Sequence, residues 1–226
     1  MGDRSKVGNW IRVCAYRFKT IGWLGILPPL LLALIIPLVM RNEVGAGQSV
    51  SSAYEWAMGT LENLNLVLGI VWPLLALKGY FKSSSKEYFF YLEEGWGLGK
   101  SLQICLSYAL LTSLVFLYMV LVTGEQMGVD TYLRDYFALI AELVFIQGVF
   151  LFVAFAAEST LVAVIAVIGV NLTQWQNYPM DWIWLIFKQG SNYLSGNRHM
   201  PVKCGMILCG LLLLGATAWI SKRKKF

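Results

Sequence analysis

The residues whose types could do chemistry are few, and most fail on spacing. Gly97-Leu98-Gly99-Lys100-Ser101 invites comparison with a phosphate-cradling loop, which needs G-x-x-x-x-G-K-[ST]. The first glycine would have to stand at 94, and that position is Glu94. Gly95 leaves the loop one residue short, and no strand leads into it, so no nucleotide site is expected here. Glu93 and Glu94 form a carboxylate pair of the kind that activates water. Hydrolysis within a membrane would need further bases or ligands on other helices, and the single histidine, His199, sits in another loop with no H-E-x-x-H motif. The pair therefore reads as solvated charge at a helix boundary. No serine or cysteine has a recognisable base partner, so no covalent catalysis is expected. Cys14, Cys105, Cys204 and Cys209 lack metal-ligand spacing. Glu142 and Gln147 are different, because both lie inside a long apolar run. A charge at membrane depth costs about 2.5–3.5 kcal/mol on insertion scales and by default marks a pathway or a bound partner. Both residues are pathway candidates. The competing reading is that Glu142, only six residues past Tyr136, is hydrated at the outer interface.

The elements that must position these residues follow from composition. The chain has 226 residues, 58% hydrophobic and only 14% charged. A soluble domain carries about 25% charged residues and needs them all round its surface. A membrane domain needs charge only at its ends, because lipid solvates the rest. The expected class is therefore an all-α, polytopic membrane protein forming one transmembrane domain over 1–226. The net charge of +5 comes from basic residues beside apolar runs, the pattern of cytoplasmic loops and not of a nucleic-acid surface. No cleavable signal peptide is expected, since the first apolar run begins near Ile21 and is long enough to span.

A spanning helix needs about 20 mostly apolar residues. Spans are expected at about 21–40, 62–80, 101–123, 136–156, 159–174 and 204–220. Pro28, Pro29 and Pro37 should bend or break the first. The apolar stretch from Tyr136 to Leu172 would be about 55 Å long as one helix, against a hydrocarbon core near 30 Å. It reads as a hairpin turning near Ala157-Glu158-Ser159-Thr160. With the N-terminus inside, thirteen of the eighteen Lys and Arg fall on the cytoplasmic side. The outer side keeps Arg41, Arg134, Lys188, Arg198 and Lys203. Both tails are then cytoplasmic in a cell membrane, which requires an even number of spans. Val7 to Thr20 mixes apolar and basic residues and reads as an amphipathic helix on the inner leaflet. Asp181 to Gln189 is apolar but too short to span. With Trp182, Trp184 and Phe187 it reads as an outer re-entrant or interfacial segment.

The loop between the second and third spans carries the sharpest pattern. It runs Lys82-Ser-Ser-Ser-Lys86-Glu87-Tyr88-Phe89-Phe90-Tyr91-Leu92-Glu93-Glu94 and on to Lys100. A polar lead, an acid, an aromatic run, a turn and a lysine entering the next helix together resemble the cytoplasmic loop of permease subunits of type-2 ATP-binding-cassette (ABC) exporters. The order of spans, amphipathic segment and outer segment resembles that family over nearly the whole chain. The turn Gly95-Trp96-Gly97 departs from the family's basic or proline-containing turn.

The resemblance implies a coupling helix formed by Glu87, Tyr88, Phe89, Phe90, Tyr91, Glu93 and Glu94. That helix docks on a separate ATPase subunit, which holds the ATP and Mg, so this chain needs no cofactor of its own. It further implies a second permease chain, identical or related, the lipid bilayer as surroundings and no nucleic acid. The cargo implied is amphiphilic: a peptide antibiotic, a drug or a lipid-like molecule. The aromatics are of the type that anchors interfaces, although tyrosine is also common in a headgroup belt. Two other functions compete: a scaffold or immunity subunit that does not transport, and a membrane-embedded transferase. The transferase lacks the paired acids or metal cluster it would need.

Overall fold

The computed structural model describes residues 23–77, 81, 98–175 and 199–223. The amphipathic segment at Val7 to Thr20, the loop from Glu87 to Glu94 and the outer segment with Trp182, Trp184 and Phe187 lie outside the described residues. Every described element is helical.

A short 3-10 turn, Trp23–Ile26, leads into α1, Leu27–Gly45. Pro28 and Pro29 occupy its first turn, where the missing N–H groups would have no intrahelical acceptor. They start the helix instead of breaking it, and it continues past Pro37. Its buried face is Leu32, Ile36 and Met40, while Leu30, Leu34 and Leu38 stay exposed.

Ser49 caps α2, Val50–Leu68, by accepting the Ser52 N–H at 3.2 Å. A break at Gly69 and Ile70 separates it from the short α3, Val71–Ala76. Pro73 is the cause. It has no N–H to offer the Gly69 carbonyl four residues earlier, so that carbonyl needs a partner from outside the helix.

Next come α4, Leu98–Thr123, and α5, Val129–Ala157, joined by the 3-10 turn Gly124–Gln126 with Gly124 at φ +59°. Asp130 in the first turn of α5 complements the helix dipole. Glu158, at φ 51°, ends α5 in the left-handed region, and α6, Thr160–Trp175, leaves in the opposite direction. α7, His199–Arg223, closes the fold with Lys222 and Arg223 in its last turn.

Among the described residues five helical segments are long and apolar enough to cross a membrane: Trp23–Gly45, Val50–Ala76, Gly99–Thr123, Val129–Ala157 and Met200–Arg223. α6, at about 24 Å, falls a little short of a 30 Å hydrocarbon core. The second segment was expected at 62–80 and starts at Val50 instead, and the last includes Lys203.

Cross-helix contacts fix the directions. Tyr54 meets Asp135, and Gln147 meets Gly69, so α2 and α5 run parallel. Glu142 meets Lys203, and Gly148 meets Gly210, so α5 and α7 run parallel too. Ser113 meets Tyr136 while Thr123 meets Tyr132, so α4 runs against α5. Trp72 donates to the Gly25 carbonyl at 2.9 Å, so α1 runs against α2 and α3. Direction thus alternates along the chain, and Trp23 and Arg223 stand at the same end of the bundle.

Burial separates inner from outer helices. The second and fourth long segments are 56% and 61% buried, against 28% for the first and third. The core is continuous along α2 and α5. At one end Leu61, Tyr108, Met119 and Leu139 pack together, and at the other Ile146, Phe150, Leu151, Val167 and Leu214 do so.

Candidate functional site

A close backbone approach between α5 and α7 positions the most polar side chains of the bundle. A Cβ on Gly148 would come within 2.7 Å of the Gly210 carbonyl oxygen, and one on Gly210 within 2.8 Å of the Val144 carbonyl oxygen. Only glycine fits at either position without moving backbone, and membrane helices use small residues for such approaches. With α5 and α7 held this close, Lys203 at the start of α7 reaches Glu142. Its Nζ donates to Glu142 Oε1, and the two residues are 1% and 5% exposed.

The parallel α2 brings a second carboxylate. Glu62 is 6% exposed and close enough to Glu142, Lys203 and Asp135 for their charges to act on it. Among the described residues no hydrogen bond reaches its carboxylate. Three ionisable groups from three parallel helices therefore meet in the interior: two acids and one ammonium. Among the described residues no group of three or more His, Cys, Asp or Glu could hold a metal ion.

Polar groups continue on both sides along the seam between α2 and α5. Toward the Val50 end, Tyr54 donates to Asp135 Oδ2 at 3.2 Å, and Arg134 Nε lies 3.5 Å from Asp135 Oδ1. Toward the other end, Asn65 Oδ1 accepts from Tyr108 at 3.2 Å and from Thr112 at 3.4 Å. One turn further, Gln147 Nε2 donates to the Gly69 carbonyl at 2.9 Å, which supplies the partner that Pro73 denies it. From Tyr54 to Gly69 the column spans about 22 Å at 1.5 Å per residue. Glu142 Oε2, Gln147 Oε1 and Asn65 Nδ2 are buried with no hydrogen-bond partner among the described residues.

Of the two pathway candidates, Glu142 lies inside the bundle in an ion pair, and Gln147 caps the freed carbonyl. They lie on the same seam but touch different partners. Lys203, counted with the outer loop on sequence grounds, is a buried member of the site. Glu62, Asn65 and Asp135 were not singled out at all. A signal for Glu62 and Asn65 exists: both fall on the buried stripe of Ala53, Tyr54, Ala57, Met58 and Leu61. Lys203 likewise opens the buried stripe of Met206, Leu214 and Ser221 on α7.

A second feature lies between α4 and α5. Phe116, Leu117, Val120, Met127 and Leu133 line a largely apolar cavity of about 850 Å³ that opens to the side of the bundle. Tyr132 and Tyr136 also face it. Ser113 donates to the Ala109 carbonyl at 2.7 Å and takes the Tyr136 hydroxyl at 2.8 Å, while Tyr132 donates to the Gly124 carbonyl at 2.9 Å.

The bundle and its buried column define a polytopic, all-helical membrane protein. Comparison of the chain with protein-family models, with curated proteins and with solved structures returns no match.

Proposed function

We propose that the chain is the membrane-spanning subunit of an ATP-driven exporter of the ABC type, coupled through residues 87–94 to a separate ATPase. The observation that carries this reading is the aromatic run Tyr88-Phe89-Phe90-Tyr91 set between Glu87 and the Glu93-Glu94 pair. It stands immediately before α4, whose first turn holds Lys100. Helix direction supports it: the chain between Ala76 and Leu98 joins the ends of α3 and α4 that share a face with Trp23 and Arg223. On this reading the docking loop and both basic tails share that face, and an excess of Lys and Arg marks a cytoplasmic face.

The cargo is amphiphilic. The lateral cavity has apolar walls and two tyrosines, which suits a molecule with an apolar body and a polar end. The exposed apolar faces of α1 and α4, which include Leu30, Leu34, Leu106, Leu110 and Leu114, are available to lipid or to a second permease chain.

Replacing Phe89 and Tyr91 by Ala tests the docking. Central aromatic anchors are each worth about 2 kcal/mol or more when fully buried. The double variant should insert normally but lose a co-purifying ATPase in detergent. Glu93→Ala should retain it, because exposed ion pairs contribute about 0–1 kcal/mol. A double variant that keeps the ATPase and still exports would sink the docking role. An ATPase that stays bound and is not stimulated by any amphiphile would favour a scaffold instead.

A further inference from the structure

The charges of the buried column do not balance. Arg134 and Asp135 cancel, and Lys203 cancels Glu142. Glu62 is left over, 6% exposed, with no cation of its own among the described residues. An unopposed carboxylate at this depth is expensive, so the site must take one more positive charge to be stable. Two further buried oxygens point the same way. Glu142 Oε2 and Gln147 Oε1 are acceptors with no donor among the described residues, in residues 5% and 0% exposed.

The packing limits what the missing charge can be. Glu62, Glu142 and Lys203 are all buried, and the cavity between α4 and α5 is lined by other residues. A bulky ammonium or guanidinium would have to part α2 from α5. A proton needs no room, since it adds one O–H bond to an oxygen already present.

We propose that Glu62 is a proton-exchange site, taking up one proton from water and releasing it again, with Glu142 and Lys203 as its fixed counter-charges. Uptake forms an O–H bond on the Glu62 carboxylate, breaks one in hydronium, and changes the column from net negative to neutral. Asp135, whose side chain is 14% exposed, is the most exposed carboxylate of the column. Tyr54 is hydrogen-bonded to Asp135 and within electrostatic reach of Glu62. The groups facing Glu62 are Glu142 and Asp135 from α5, Lys203 from α7, Tyr108 from α4 by way of Asn65, and Tyr54 on its own helix. α1 presents no ionisable group in its buried face, which is Pro28, Leu32, Ile36 and Met40. Acidic chains of this kind are what proton pathways in membrane proteins are made of. The site could therefore accompany export with proton movement, although the proposal needs no ATPase to stand.

The experiment uses the full chain in lipid nanodiscs and infrared difference spectra between acidic and alkaline buffer, with proton release counted by a pH dye. Wild type should show a protonated-carboxyl band that disappears in alkali. Glu62→Gln, which keeps the shape, should lack that band and release one proton fewer per chain. Glu62→Asp should keep the band at a shifted frequency, with unchanged helix content in both variants. An unchanged band and proton count in Glu62→Gln would overturn the assignment, as would a wild-type spectrum with no such band. Neither readout involves ATP or a partner. Failure here leaves the exporter reading standing, and loss of that reading leaves the proton site standing.

Discussion

At the scale of single residues, the pair Glu142 and Lys203 does most to define the interior. Removing one partner of a buried pair strands the other charge, at a cost of about 3–5 kcal/mol. Lys203→Met should therefore lower stability by about that amount, measured by thermal or denaturant unfolding in detergent. Adding Glu142→Gln should restore most of the loss, because the charge that Lys203 pairs with is then removed as well. Equal stability of Lys203→Met and wild type would mean that the pair is not formed in the membrane. Glu142 could be picked out from sequence because one acid in a long apolar run is conspicuous. Its partner could not, because Lys203 adjoins a polar stretch, and nothing in a single chain says which helix end lies against which. Glu62 was hidden for another reason. Ser51, Ser52, Glu55 and Thr60 dilute the hydropathy of 50–61, so the expected span began at Glu62 and made it a boundary residue. The other face of the same turns is apolar and buried, and it carries Glu62 and Asn65 into the core.

At the scale of elements, the bilayer sets helix length, and a proline acts according to its position in the helix. A helix of about 55 Å does not fit a bilayer, and the structure has α5 and α6 in that stretch with a left-handed residue between them. Prolines at 28 and 29 begin α1 because a first turn needs no N–H acceptor. The proline that interrupts a helix is Pro73, and its consequence is the Gln147 contact across to α5. The α5–α7 contact rests on Gly148 and Gly210, where any added carbon meets backbone and not a movable side chain. Gly148→Leu or Gly210→Leu should destabilise by about 1–3 kcal/mol, the usual range for overpacking. Each should also weaken the Glu142–Lys203 contact, since the helices must part. The check is whether Lys203→Met costs less in the Gly210→Leu background than in wild type. Additive costs would show that the glycines do not set the ion pair.

At the scale of the whole molecule, the functional reading depends on sidedness. The all-helical membrane class was legible in composition alone, because a charge content of 14% cannot clothe a soluble surface. The directions of the helices were legible only as parity, and the contacts from Tyr54 to Asp135 and from Glu142 to Lys203 give them a geometric basis. Together they put Ala76 and Leu98, the ends of α3 and α4, on the face that holds Trp23 and Arg223. An ATPase can dock there only if that face is cytoplasmic. The most direct measurement is labelling of single cysteines by a membrane-impermeant thiol reagent in intact cells, in a background with Cys14, Cys105, Cys204 and Cys209 replaced by serine. Cysteines at Ser84 and Lys222 should be labelled only after the membrane is permeabilised, and one at Gln48, exposed between α1 and α2, should be labelled without it. Labelling of Ser84→Cys from outside, or of Ser84→Cys and Lys222→Cys from opposite sides, would contradict both the shared face and its cytoplasmic position.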